Sequence, residues 1–106
     1  SIVTVSVAAL HGQDSVRTIE IHAKRFAFSP NDITLKKGEK VTLALTSTDV
    51  SHSLLIPELG VNSPIKKGHT TTVTITPDKS GTFEGRCGTF CGGGHGTMTF
   101  TVHVSD

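Results

Sequence analysis

Cys87, Cys91, His95 and Met98 lie within the stretch CGTFCGGGHGTM, which holds both cysteines and the only methionine of the chain. Two thiolates and an imidazole are soft to borderline donors and a thioether is softer still, so the set suits copper or zinc and suits calcium or magnesium poorly. The methionine separates the two candidates. Structural zinc sites fill four tetrahedral positions with Cys and His, whereas electron-transfer copper sites often carry a weak axial Met. The spacing Cys-x-x-x-Cys-x-x-x-His-x-x-Met brings all four side chains within one tight loop, and glycines at 88, 92, 93, 94 and 96 let its backbone bend around an ion without Cβ clashes. A blue-copper site uses one thiolate with two imidazoles, so a second cysteine this close exceeds that requirement; two thiolates could instead bridge two metals. A loop disulfide is the plain alternative for Cys87 and Cys91, but it leaves His95 and Met98 without explanation. Core packing competes for Met98, which shares a face with Phe100 and Val102.

Such a loop needs a scaffold, and the rest of the chain reads as strands. Ile19, Ile21 and Ala23 share one face of RTIEIHAKRF, and Val41, Leu43 and Leu45 share one face of KVTLALTS. TTTVTITP sets Val73 and Ile75 opposite threonines, and MTFTVHVS aligns Met98, Phe100, Val102 and Val104. No comparable run has the i, i+3, i+4, i+7 spacing of a helix. Breakers fall between these runs, at Ser29-Pro30-Asn31-Asp32, Lys37-Gly38-Glu39, Pro57 to Gly60, Pro77-Asp78 and Ser80-Gly81. Strands at this interval predict an all-β domain, an antiparallel sandwich or small Greek-key barrel. His52 opens HSLLIP just after the turn at Ser47-Thr48-Asp49-Val50, and loops far apart in sequence can meet at one end of a sandwich. Asp49 and Ser53 flank His52 as candidates to orient its ring.

The totals fit one unit. A chain of 106 residues, 35% hydrophobic and 18% charged with a formal charge of +1, is large enough for one core and too small for two. The basic doublets Lys24-Arg25, Lys36-Lys37 and Lys66-Lys67 are scattered along the sequence and read as solvated turn and edge residues, so nucleic acid is not an expected partner. No apolar run approaches the roughly 20 residues of a membrane-spanning helix. Val3, Val5 and Val7 alternate with Thr and Ser, which makes residues 1–10 an N-terminal strand or the remnant of a cleaved leader. His11, His22, His69 and His103 have no neighbouring donors in sequence and read as surface or strand histidines.

From FAFSPNDITLKKGEKVTLALTSTDVSHSLLIPELGV through CGTFCGGGHGTM, the chain resembles the cupredoxin domain of cytochrome c oxidase subunit II, which houses the binuclear copper centre called CuA. The resemblance covers residues 26 to 103 and is carried by the paired patterns DVSHS and CxxxCxxxHxxM. It implies a cupredoxin-like Greek-key β-sandwich over residues 1–106 and a cofactor of two copper ions. By the same resemblance Cys87 and Cys91 would bridge the ions, with His52 terminal on one and His95 on the other; Met98 would be a weak ligand and the main-chain carbonyl of Thr89 would serve the second ion. Two departures accompany the match. Where the oxidase family usually has a Glu that also helps bind magnesium at the interface with the catalytic subunit, this chain has Thr89, which keeps a backbone ligand but not the magnesium link. The tryptophan-rich patch where electrons enter from cytochrome c has no counterpart, since the chain has no Trp or Tyr.

The resulting expectation is a copper-binding electron-transfer protein that shuttles one electron through a CuA-type centre. The alternative is a periplasmic copper chaperone or storage protein that binds Cu(I). The chain shows no second constellation for catalysis, so it is expected to serve an oxidase or reductase, as part or partner, rather than to be an enzyme itself. Nitrous oxide reductase carries a similar centre in its electron-feeding domain. The expected partner is a redox protein such as a cytochrome or a terminal oxidase. The expected state is a monomer in the periplasm or elsewhere outside the cytoplasm, with an upstream membrane tether as an option.

Overall fold

The computed structural model describes residues 16–88 and 97–106. The period-two runs form β1 (Arg17–Lys24), β2 (Ala27–Ser29), β3 (Asp32–Lys36), β4 (Val41–Ser47), β5 (His52–Ile56), β6 (Val61–Ile65), β7 (Thr71–Ile75), β8 (Gly81–Arg86) and β9 (Thr99–Ser105). A 3₁₀ turn, Pro57–Leu59, links β5 to β6 where PELG marked a turn. The strand proposed for residues 1–10 lies outside the described residues.

Two sheets stack, one ordered β2-β1-β4-β7 and the other β3-β9-β8-β5-β6. The antiparallel expectation holds for most pairs and fails for two: β1 runs parallel to β4, and β3 parallel to β9. The cause is topological, because strands that are not joined by a hairpin return from the opposite sheet and can arrive in either direction. The parallel pairing of β1 with β4 matters for the site, since it puts Lys24 and Ser47 at the same end of the sheet.

Alternation decides what faces inward. Ile21, Ala23, Val41, Leu43, Leu45, Leu54, Ile56, Phe100 and Val102 are all buried between the sheets, with threonines and charged residues on the outer faces. Gly85 sits on the inner face of β8, where a Cβ would lie 2.8 Å from Ile56 Cγ1 and 3.0 Å from the Leu55 carbonyl oxygen. The backbone of β5 cannot withdraw without breaking its pairing with β6. Gly85→Ala should therefore destabilise the fold by about 1–3 kcal/mol, read as a lower midpoint in urea with unchanged slope.

Candidate metal centre

The strand directions assemble one end of the sandwich. β4 ends at Ser47 and β5 begins there with His52, while β8 ends at Arg86 and delivers Cys87 beside it. His52 and Cys87, separated by 35 positions in sequence, come together with Nδ1 of the ring 3.9 Å from Sγ. Both are buried, as is Met98. The Cys87 N–H donates to the Met98 carbonyl at 3.1 Å, so the first and last of the clustered donors are tied at the base of the loop between β8 and β9. Thr89, Cys91 and His95 lie outside the described residues. Among the described residues, no group of three or more His, Cys, Asp or Glu side chains converges.

The orientation of His52 comes from Asp49. The ring Nε2–H donates to Asp49 Oδ1 at 2.9 Å, which places the proton on Nε2 and leaves the Nδ1 lone pair facing Cys87 Sγ. Asp49 is itself fixed: Oδ1 accepts the Val50 N–H at 2.6 Å and Oδ2 accepts the Arg25 N–H at 2.7 Å. Loss of hydration opposes the charge on Asp49, but the Arg25, His52 and Val50 donors, together with attraction to the His52 ring, outweigh it and hold the carboxyl well below the usual carboxylate range. The Arg25 contact had no signal in the sequence. It depends on the parallel pairing of β1 with β4, which carries the β1–β2 turn over the β4–β5 turn.

Ser53 takes a different role from the one its position next to His52 implies. Alternation turns it to the outer side of β5, where its Oγ accepts the Gly88 N–H at 2.9 Å. It orients the ligand loop, and Asp49 alone of the two flanking residues touches the ring. Gly88 is held so close that a Cβ there would lie 3.1 Å from Ser53 Oγ and 3.2 Å from Leu55 Cβ.

Of the apolar residues near these donors, Phe100 and Leu54 lie two positions from Met98 and His52 on the same strand faces and are fully buried. Ile56, Leu59 and Phe90 are further apolar residues near these donors in sequence; Ile56 and Leu59 sit at the other end of β5. At about 3.3 Å per residue, Ile56 is about 13 Å along the strand from His52. Phe90 lies outside the described residues. His22, His69 and His103 are exposed, as expected, with His22 bonded to Thr46 at 2.7 Å and His103 facing Asp32 at 3.6 Å.

The donor set fits copper. A buried thiol, an imidazole whose free nitrogen faces that thiol while a carboxylate holds the other, and a buried methionine stand at one end of the sandwich, a combination softer than zinc requires.

Comparison with known proteins agrees with this reading of the fold. The cupredoxin-like domain family matches residues 1–100. A probable cytochrome c oxidase subunit 2 of Streptomyces coelicolor is 41% identical over 70 residues, which are 66% of this chain and 22% of that protein. Cytochrome c oxidase subunit 2 of Thermus thermophilus is 29% identical over 89 residues, 84% of this chain and 66% of that protein. Among solved structures, the periplasmic domain of subunit II of cytochrome oxidase from Bradyrhizobium japonicum superposes with a TM-score of 0.78 at 20% identity, covering 85% of this chain and 84% of that one. Auracyanin A, a blue copper protein of Chloroflexus aurantiacus, superposes with a TM-score of 0.71 at 18% identity, covering 86% and 100%. The chain thus spans about a fifth of the first of these oxidase subunits, 22% of its length. On the match that runs nearly end to end, the chain belongs to the cupredoxin-like family, with subunit 2 of cytochrome c oxidase among its relatives.

Proposed function

We propose that the chain is a copper-binding electron-transfer domain whose centre is binuclear and of the CuA type. The observation that carries the reading is the convergence of His52 Nδ1 on Cys87 Sγ at 3.9 Å, with the ring proton held on the far side by Asp49. His52, Cys87, Cys91, His95 and Met98 would hold the copper through side chains, and Thr89 through its carbonyl. When bound, the metal pair supplies a one-electron couple shared over two nuclei.

The polypeptide contributes rigidity and dryness. Asp49 fixes the tautomer and aim of His52, and the Cys87–Met98 backbone bond holds the loop ends together. Leu54 and Phe100 exclude water from beneath the ligands. β5, β8 and β9 are hydrogen-bonded in one sheet packed over a single core, which limits how far His52 and Cys87 can move when charge changes. The domain would feed or drain a terminal oxidase or reductase on the outer side of a membrane. Relatives named as oxidase subunits and a nitrous-oxide reductase, 38% identical over 78 residues, support that placement.

Copper loading followed by metal analysis and an optical spectrum tests the reading. The expected result is two coppers per chain and a purple, multi-banded absorption with an electron delocalised over both nuclei. One metal per chain that stays colourless through oxidation would replace it with the Cu(I) carrier, and zinc as the native metal would end it. Asp49→Asn gives a second test. An amide cannot accept the Arg25 N–H and His52 N–H as a carboxylate does, so copper affinity should fall by about 10- to 100-fold in competition with a chelator, while the far-ultraviolet circular dichroism stays that of the parent.

A further inference from the structure

Two of the three basic doublets that are scattered in sequence share one end of the sandwich. Lys24 and Arg25 leave β1 at the end where Asp49 receives the Arg25 N–H at 2.7 Å. Ile65 pairs with His52, so Lys66 and Lys67 leave β6 beside the same histidine, and the Gly68 N–H donates to the Ser47 carbonyl at 3.3 Å to hold that loop against the end of β4. Arg86 directly precedes Cys87. All five cations are exposed. Among the described residues Asp49 is the only acid at this end, and residues 89–96, TFCGGGHG, add no Asp, Glu, Lys or Arg. Lys24, Lys66, Lys67 and Arg86 form no ion pair with a carboxylate among the described residues.

The opposite end is balanced. Arg17 is paired with Glu39 at 3.2 Å, Lys79 lies over the Phe83 ring, and Glu58, Asp78 and Asp106 stand among Lys36, Lys37 and Lys40. Glu20, Asp32 and Glu84 project from the outer sheet faces between the two ends. A chain with a formal charge of +1 therefore carries a concentrated positive field at the end that holds His52 and Cys87. Phe26, one of the exposed large apolar residues, stands in the β1–β2 turn at that end, next to Arg25. An exposed aromatic side chain on a cationic end has the composition of an interface with an apolar anchor and a charged rim.

We propose that this end is the docking surface for an acidic redox protein, which Lys24, Arg25, Lys66, Lys67 and Arg86 steer onto the end that holds His52 and Cys87 and Phe26 anchors. The copper reading supplies the reason for a partner to dock here, over buried ligands that a partner must approach closely. An anionic lipid surface offers the same chemistry to the cations, but it would cover the ligands and gain nothing from a flat contact around one aromatic ring.

Cytochrome c in two forms is a suitable probe, since succinylating its lysines reverses its surface charge and keeps its fold. Binding is followed by amide chemical shifts at an ionic strength of about 20 mM, where a surface field reaches well beyond contact, with copper bound and again after its removal. The expected result is that the succinylated form binds and the native basic form does not, with shifts confined to the turns at 24–26, 48–51 and 66–70. Lys66→Glu/Lys67→Glu should weaken binding by about tenfold or more, and Lys36→Glu/Lys37→Glu, the same charge change at the opposite end, by less than about twofold. Phe26→Ala should weaken it at any salt concentration. Equal losses from the two double variants, a preference for the basic cytochrome, or binding only to phosphatidylglycerol vesicles would overturn the proposal. The copper-free measurement is independent of metal stoichiometry, so a failure of the binuclear reading shows only in the spectrum.

Discussion

Cys87→Ser should leave the sandwich folded and abolish retention of copper through gel filtration. The side chain is fully buried and its sulfur faces the Nδ1 lone pair of His52 at 3.9 Å, a separation too long for a serine hydroxyl to hydrogen-bond without a small shift of the ring. Loss of stability should be about 1–3 kcal/mol, the cost of burying a poorly partnered hydroxyl, because no cavity larger than the difference between sulfur and oxygen opens. The metal loses far more. A thiolate is a soft anionic donor, and an unionised hydroxyl at the same position neither bridges nor balances charge. The effect should exceed the about 10- to 100-fold expected for Asp49→Asn, which acts only through the ring it orients. A variant that still melts cooperatively, shows native circular dichroism and elutes without copper meets the expectation. One that elutes with the purple spectrum intact removes Cys87 from the ligand set, and with it the bridged centre.

The strands were legible because each is short and half-buried, so the inward residues of β1, β4, β7 and β9 announce themselves by alternation. The meeting of His52 with Cys87 was legible too, as a sandwich offers few places for a loop histidine to find a distant cysteine. What the sequence hid are the consequences of strand order. Arg25 reaches Asp49 only because β1 lies parallel to β4, and nothing local to either residue encodes that pairing. Ser53 sits next to His52 in sequence yet faces the other way, a distinction that required knowing which side of β5 meets the core. Leu59 lies away from His52 for a related reason: proximity in sequence to HSLLIP does not survive a strand that carries the chain to the opposite end. The cationic end is the same effect in reverse, since turns that are remote in sequence share an end whenever the strands between them complete their passes.

Phe100→Ala should be the most damaging substitution to the fold itself, costing about 3–5 kcal/mol. The ring is fully buried near the middle of the five-stranded sheet, where it packs edge-on against Phe28 of the other sheet with centroids 5.8 Å apart and planes at 72°. Gly85 pairs with Phe100 across β8 and β9 and has no side chain to fill the space. For a domain of this size each kcal/mol lowers the melting temperature by about 4 °C, so the variant should melt about 12–20 °C below the parent. Saturating copper then separates two kinds of damage. A ligand that binds only the folded state stabilises parent and variant by the same increment when the site is equally formed in both. His52 is held by Asp49 and Cys87 by the Met98 carbonyl, neither of which leans on the Phe100 ring, so the increment should be equal. A smaller increment in Phe100→Ala would mean that the ring also positions Met98, two residues away on the same inward face, and that core packing and the site are mechanically coupled through β9.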